Sequence, residues 1–120
     1  MGDLKKFGFP MSGKMSRNKG LNFEREIAKT FRKIFPNAER AIVGSSLDNA
    51  GVDIRGAGSL RIQAKRNKQY CPISKIEEVK LSDGIPLLVT KADFKRPVAC
   101  LYLEDFIKII EDIGVIYDGD

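Results

Sequence analysis

VDIRGAGSLRIQAKRN, residues 52–67, decides the fold. Two strand-like runs flank Gly56-Ala57-Gly58, the small-residue signature of a tight hairpin. The spacing predicts a short strand over residues 52–56 and a longer one over residues 59–67. Side chains two apart in a strand share a face. Gln63 and Lys65 are therefore expected to look out together, with Ile62 and Ala64 facing the other way. The hairpin makes Asp53 a neighbour of Gln63 across the ladder.

Upstream, LNFEREIAKTFRKIF (residues 21–35) repeats apolar positions at three- and four-residue steps, the pattern of an amphipathic helix. Pro36-Asn37 ends it. AERAIVGSS (residues 38–46) reads as a strand entering a small-residue loop, and LDNAG (residues 47–51) as a turn. Downstream, ISKIEEVKL (residues 73–81) reads as a short helix. DGIPLLVTK (residues 83–91) and RPVACLYL (residues 96–103) read as strands, and EDFIKIIEDI (residues 104–113) as a closing helix. Helix, three strands, helix, two strands, helix is an α/β order. It predicts a single domain with a mixed central sheet of about five strands flanked by helices. Residues 1–18 read as a flexible basic arm, and residues 19–120 as the folded domain.

The chain of 120 residues carries a formal charge of +5 and a pI near 9.3, which favours a polyanionic partner. The basic residues cluster. Arg55, Arg61, Lys65, Arg66, Lys68 and Lys75 follow one another with no acid between them, whereas the segment from Glu104 onward is acidic. No apolar run reaches the roughly 20 residues of a membrane span, and the N-terminal stretch has no signal-peptide core. A cytoplasmic location is expected, and a virus-encoded chain acting in its host's cytoplasm would read the same way. Cys71 and Cys100 fit no metal-ligand spacing and read as reduced thiols. The absence of histidine excludes His-based zinc chemistry and a Ser-His-Asp triad.

Glu24 stands on the amphipathic helix with Ile27 and Ala28 three and four residues on, so no basic partner on its own helix explains it. Glu26, with Lys29 three residues on, has an ordinary surface partner. Glu24, Asp53 and the Gln63 amide oxygen converging on one point form an oxygen-only cage, which suits Mg²⁺ or Mn²⁺. A lysine beside such a cage, Lys65, can orient or deprotonate a water and neutralise charge on a phosphate. The chemistry indicated is phosphodiester hydrolysis. The competing reading makes Asp53 and Lys65 an ordinary cross-strand ion pair, with Glu24 and Gln63 plain surface residues.

KGLNFEREIAKTF (residues 19–31), GSS (44–46), GVDIRG (51–56), RIQAKR (61–66) and GIPLLVTK (84–91), in that order, resemble the archaeal and viral Holliday-junction resolvases of the PD-(D/E)XK nuclease superfamily. The resemblance spans residues 19–91. It implies a restriction endonuclease-like fold and a homodimer that cuts four-way DNA junctions with Mg²⁺, for which Mn²⁺ substitutes. It implies a site of Glu24, Asp53, Gln63 and Lys65, with Glu24, Asp53 and Gln63 holding metal. It also implies an assisting serine in the loop before Asp53, which is Ser45 or Ser46. The family's third ligand is normally acidic, and here it is Gln63, which supplies an oxygen but no charge. Asp48 is a candidate to compensate. A related nuclease on other branched or linear DNA, and a DNA-binding relative that does not cut, stay open beside the resolvase.

Lys19, Arg25, Arg40, Arg61, Arg66 and Lys68 crowd the expected site and are candidate phosphate contacts. Tyr70 reads as a half-buried tyrosine at a strand end or as a stacking residue. Phe7, Phe9 and Met11 in the arm could pack on the body, on a second copy or on DNA.

Overall fold

The computed structural model describes residues 13–81 and 83–114. Helix α1 (Gly13–Phe31) leads into strand β1 (Glu39–Arg40), the one-turn helix α2 (Ser46–Asn49), β2 (Ile54–Arg55) and β3 (Leu60–Asn67). A 3₁₀ segment (Ile73–Glu78) connects to β4 (Ile85–Ala92), β5 (Val98–Cys100) and helix α3 (Leu103–Ile113). The sheet has five strands in the order β1-β2-β3-β4-β5. β3 and β4 run parallel and all other pairs antiparallel, so the sheet is mixed, as the sequence predicts.

Two layers of apolar side chains sandwich the long central strands. Phe23, Ile27 and Ala28 of α1 pack on Ile54, Ile62, Ala64, Leu87 and Val89. On the opposite face a smaller cluster joins Cys71, Ile76 and Leu88, with Cys100 at its edge. Alternation along β4 explains the split, because Leu87 and Val89 face the helix and Leu88 faces away. Both cysteines are free. Phe23 is 1% exposed at the centre of the larger cluster. Phe23→Ala should therefore cost about 3–5 kcal/mol, read from denaturant unfolding, because the ring leaves a cavity that α1 cannot close.

Several boundaries differ from expectation. Helix α1 starts at Gly13, so residues 13–18 of the expected arm are helical; residues 1–12, with Phe7, Phe9 and Met11, lie outside the described residues. The expected strand over residues 38–46 shrinks to Glu39–Arg40, because Ser45 N–H turns back to the Ile42 carbonyl and opens α2. LDNAG is consequently part of a helical turn capped by Ser45. The helix expected over residues 73–81 is the tighter 3₁₀ form over Ile73–Glu78, which Pro72 precedes.

Gln63 is the largest correction. It is 1% exposed rather than outward-facing. The face it shares with Lys65 is roofed by the 3₁₀ segment, whose Ile76 packs beside Leu88, the β4 partner of Gln63. The β2–β3 turn that sets this register needs Gly56. Its φ is +76°, and a Cβ there would run into the Asn37 carbonyl oxygen.

Candidate active site

The hairpin delivers two of the expected groups together. Ile54 pairs with Ile62, and Asp53, the residue just before β2, lies against the Ile62–Ala64 stretch of β3. Asp53 N–H donates to the Ile62 carbonyl at 2.8 Å, and the Asp53 carbonyl accepts Ala41 N–H at 2.8 Å. The backbone at Asp53 is thus clamped from both sides. Its carboxylate accepts the Ala64 N–H at 2.9 Å and faces the Lys65 ammonium at 3.4 Å. The Asp53 side chain is largely buried, whereas Lys65 is about one third open to solvent (34%) and can meet a ligand from outside.

Glu24 reaches the same region from α1. Its carboxylate accepts a hydrogen bond from Arg40 Nε at 3.0 Å. Burial raises its pKa above the usual glutamate value; the bond to Arg40 opposes that, and the nearby Asp53 charge adds to it. Lys65 also acts on Glu24 in the lowering direction, so Glu24, Asp53 and Lys65 share one electrostatic neighbourhood.

Gln63, two residues before Lys65 on β3, makes no such contact among the described residues. Its Oε1 is buried and accepts no hydrogen bond among the described residues. Buried acceptors are nearly always satisfied, so this oxygen is a candidate to meet a donor or a cation. Among the described residues no three His, Cys, Asp or Glu side chains gather at one point. Glu24 and Asp53 share one neighbourhood, and a cation held between them would be bound by oxygen alone. That oxygen-only donor set fits a hard divalent ion and suits a soft one poorly.

The remaining expected residues disperse. Ser45 Oγ accepts the Asp48 N–H at 3.3 Å, and the Asp48 carboxylate accepts the Gly44 N–H at 3.0 Å. These bonds close α2 on itself. No hydrogen bond or ion pair among the described residues joins Ser45, Ser46 or Asp48 to Glu24, Asp53 or Lys65. Arg61 turns to the Gly58 carbonyl and to Asp83 at the far end of β3. Lys19 and Arg66 both meet Asp93, at 3.4 and 3.7 Å. Lys68 is exposed.

Arg25 and Arg40 line an open cavity of about 470 Å³ beside Glu24. Arg32 lines it too, a residue not singled out in the sequence. The signal was present: Arg25, Ala28 and Arg32 stand at three- and four-residue steps along one face of α1 and the turn that follows. Arg32 also holds the Ala38 carbonyl at 2.6 Å, which ties the helix end to β1. Glu39 lines it as well and Glu24 engages Arg40, so the three guanidinium groups offer phosphate oxygens a partly neutralised surface.

No protein-family model, curated protein or solved structure matches this chain. No helix among the described residues is long and apolar enough to cross a membrane.

Proposed function

We propose that this chain is a metal-dependent DNA nuclease with a restriction endonuclease-like fold, which cuts branched DNA such as a four-way junction and acts as a homodimer. The observation that carries the reading is the Asp53–Lys65 pair with Glu24 in the same electrostatic neighbourhood, joined on β3 by a buried Gln63 oxygen that has no hydrogen-bond partner among the described residues. The ordered likeness of residues 19–91 to the junction resolvases supports the choice of substrate.

Glu24, Asp53 and Gln63 would hold Mg²⁺ or Mn²⁺. Such an ion, when bound, lowers the pKa of a water and stabilises charge on a phosphate oxygen. The chain's own groups do the rest. Asp53 is fixed by the Ala64 N–H, which leaves its other oxygen available. Lys65, held toward Asp53, presents its ammonium where it can orient a water or neutralise the phosphate. Arg25, Arg32 and Arg40 position the DNA backbone, and Arg40 steadies Glu24. Contacts of this kind read phosphates and shape rather than base edges.

Homodimerisation has its own support. Helix α3 buries none of its residues, and Leu103, Phe106, Ile107 and Ile113 are exposed with Val98 and Tyr102 nearby. An apolar face of this extent asks for a cover, and a second copy related by two-fold symmetry supplies an identical one.

The test is cleavage of end-labelled four-way junction, blunt duplex and single strand, each with Mg²⁺, with Mn²⁺ and with EDTA. Paired symmetric nicks in the junction alone, with metal alone, are expected, and light scattering should give twice the 13.4 kDa chain mass. Binding should weaken steeply with salt, and Arg32→Ala should lower the log–log salt slope by about one. Tight metal-independent binding without any cutting would instead identify a DNA-holding relative whose uncharged Gln63 marks a lost site.

A further inference from the structure

The turn between β4 and β5 is built against the usual rules. Phe94 has φ +63° and is the one non-glycine residue with positive φ among the described residues. It sits third in a four-residue turn closed by Lys95 N–H on the Ala92 carbonyl at 3.1 Å, a position that ordinarily takes glycine. A bulky side chain pays for this conformation with steric strain. Phe94 gains no packing in return, since its side chain is fully exposed.

The tip is nevertheless held firmly. Asp93 is pinned by Lys19 from α1 and by Arg66 from β3. Its N–H donates to the Lys68 carbonyl at 3.2 Å. Tyr70 donates its hydroxyl to the Arg96 carbonyl at 2.7 Å. The surroundings are cationic. Lys68, Lys95 and Arg96 are exposed and make no ion pair among the described residues, and Lys68, Tyr70 and Lys95 line a cavity of about 380 Å³ behind the tip. Asp93, the local acid, is already occupied by two cations.

A rigidly presented, solvated aromatic ring ringed by cations suits a flat, electron-rich ring attached to a phosphate backbone. We propose that Phe94 is a stacking platform for an unpaired nucleobase, with Lys68, Lys95 and Arg96 holding the flanking phosphates. This rests on the nuclease reading for the identity of the polyanion and adds the part of the DNA that is touched. Lys65 pairs with Thr90, and β4 runs only two residues further, about 7 Å along the strand, before the turn that carries Phe94. An unstacked base at a branch point lies within such a span of a backbone being cut.

The chain contains no tryptophan, so Phe94→Trp places a single tryptophan reporter at the tip, excited apart from the tyrosines. The variant is titrated in EDTA with oligothymidylate, four-way junction and blunt duplex, beside mobility shifts. Quenching by oligothymidylate and junction, and far less by blunt duplex, is expected. Phe94→Ala should weaken junction binding about tenfold. Phe94→Gly should weaken it equally while raising the melting temperature, because glycine relieves the strained turn. Loss of binding in a more stable protein excludes a merely structural role. The proposal is overturned if junction binds, as mobility shift shows, with the Trp emission unchanged and both truncations binding as wild type; the nuclease reading then survives. It is equally overturned if emission shifts with protein concentration alone, which would make the tip a contact between copies. If no DNA binds by either readout, the nuclease reading falls and this proposal with it.

Discussion

Replacing Lys65 by methionine should abolish metal-dependent cleavage, by about a thousandfold or more, with junction binding in EDTA changed only severalfold. Methionine keeps the aliphatic stem and removes only the ammonium. The pair with Asp53 is partly open to solvent, so its loss should move the melting temperature little. Asp53→Asn is the companion variant. The asparagine oxygen can still accept the Ala64 N–H, so the ladder survives while the charge disappears. Asp53→Ala should differ from it in kind, because it also strands a backbone N–H and costs about 1–3 kcal/mol of stability. Single-turnover cleavage, mobility shift and thermal melting on all three variants check the pattern. Undiminished cutting by Lys65→Met would remove this site from the mechanism.

The second large effect is expected from Gln63→Glu. It places a carboxylate at a position 1% exposed, two residues before Lys65 on β3. Without metal, a buried uncompensated charge should destabilise the fold by about 3 kcal/mol, or about 10 °C in the melting temperature of a chain this size. Mg²⁺ or Mn²⁺ should restore most of that loss, and metal affinity should exceed that of the wild type. Melting curves with and without metal decide it; metal-independent destabilisation would show that Gln63 faces no cation.

Glu24 gives the site a defined pH dependence. Its folded pKa is raised, mainly by burial, so the metal-free native state holds that proton more tightly than the unfolded chain does. The associated stability is fully present below the unfolded pKa and is lost as pH rises through the folded one. Metal binding runs the opposite way. It needs the carboxylate and should fail at a higher pH than an ordinary glutamate would dictate.

Much of this site could be read from residue order alone. The three- and four-residue apolar steps gave α1 its buried face, and Gly56-Ala57-Gly58 gave the hairpin that brings Asp53 against β3. Period-two alternation correctly paired Gln63 with Lys65 on one face. It could not tell that the face is covered, because the cover, Ile76, comes from a segment beyond the strand whose packing is a tertiary fact. The start of α1 was hidden by the Gly, Ser and Lys residues that usually mark loops. The Phe94 turn was invisible for the converse reason: the stretch DFKRP lacks the glycine that announces such a bend.

Asp53 and Gln63 will age differently in a lineage. Asp53 closes the ladder through the Ala64 N–H, so selection for a folded protein alone retains it after cutting has ceased. The Gln63 oxygen accepts no hydrogen bond among the described residues, so it is a cost to the fold. A descendant freed from cleavage would replace it with a leucine or methionine at no structural loss. On the nuclease reading, then, an intact aspartate says little about activity, while a polar side chain kept at this buried position is what continued cutting would preserve.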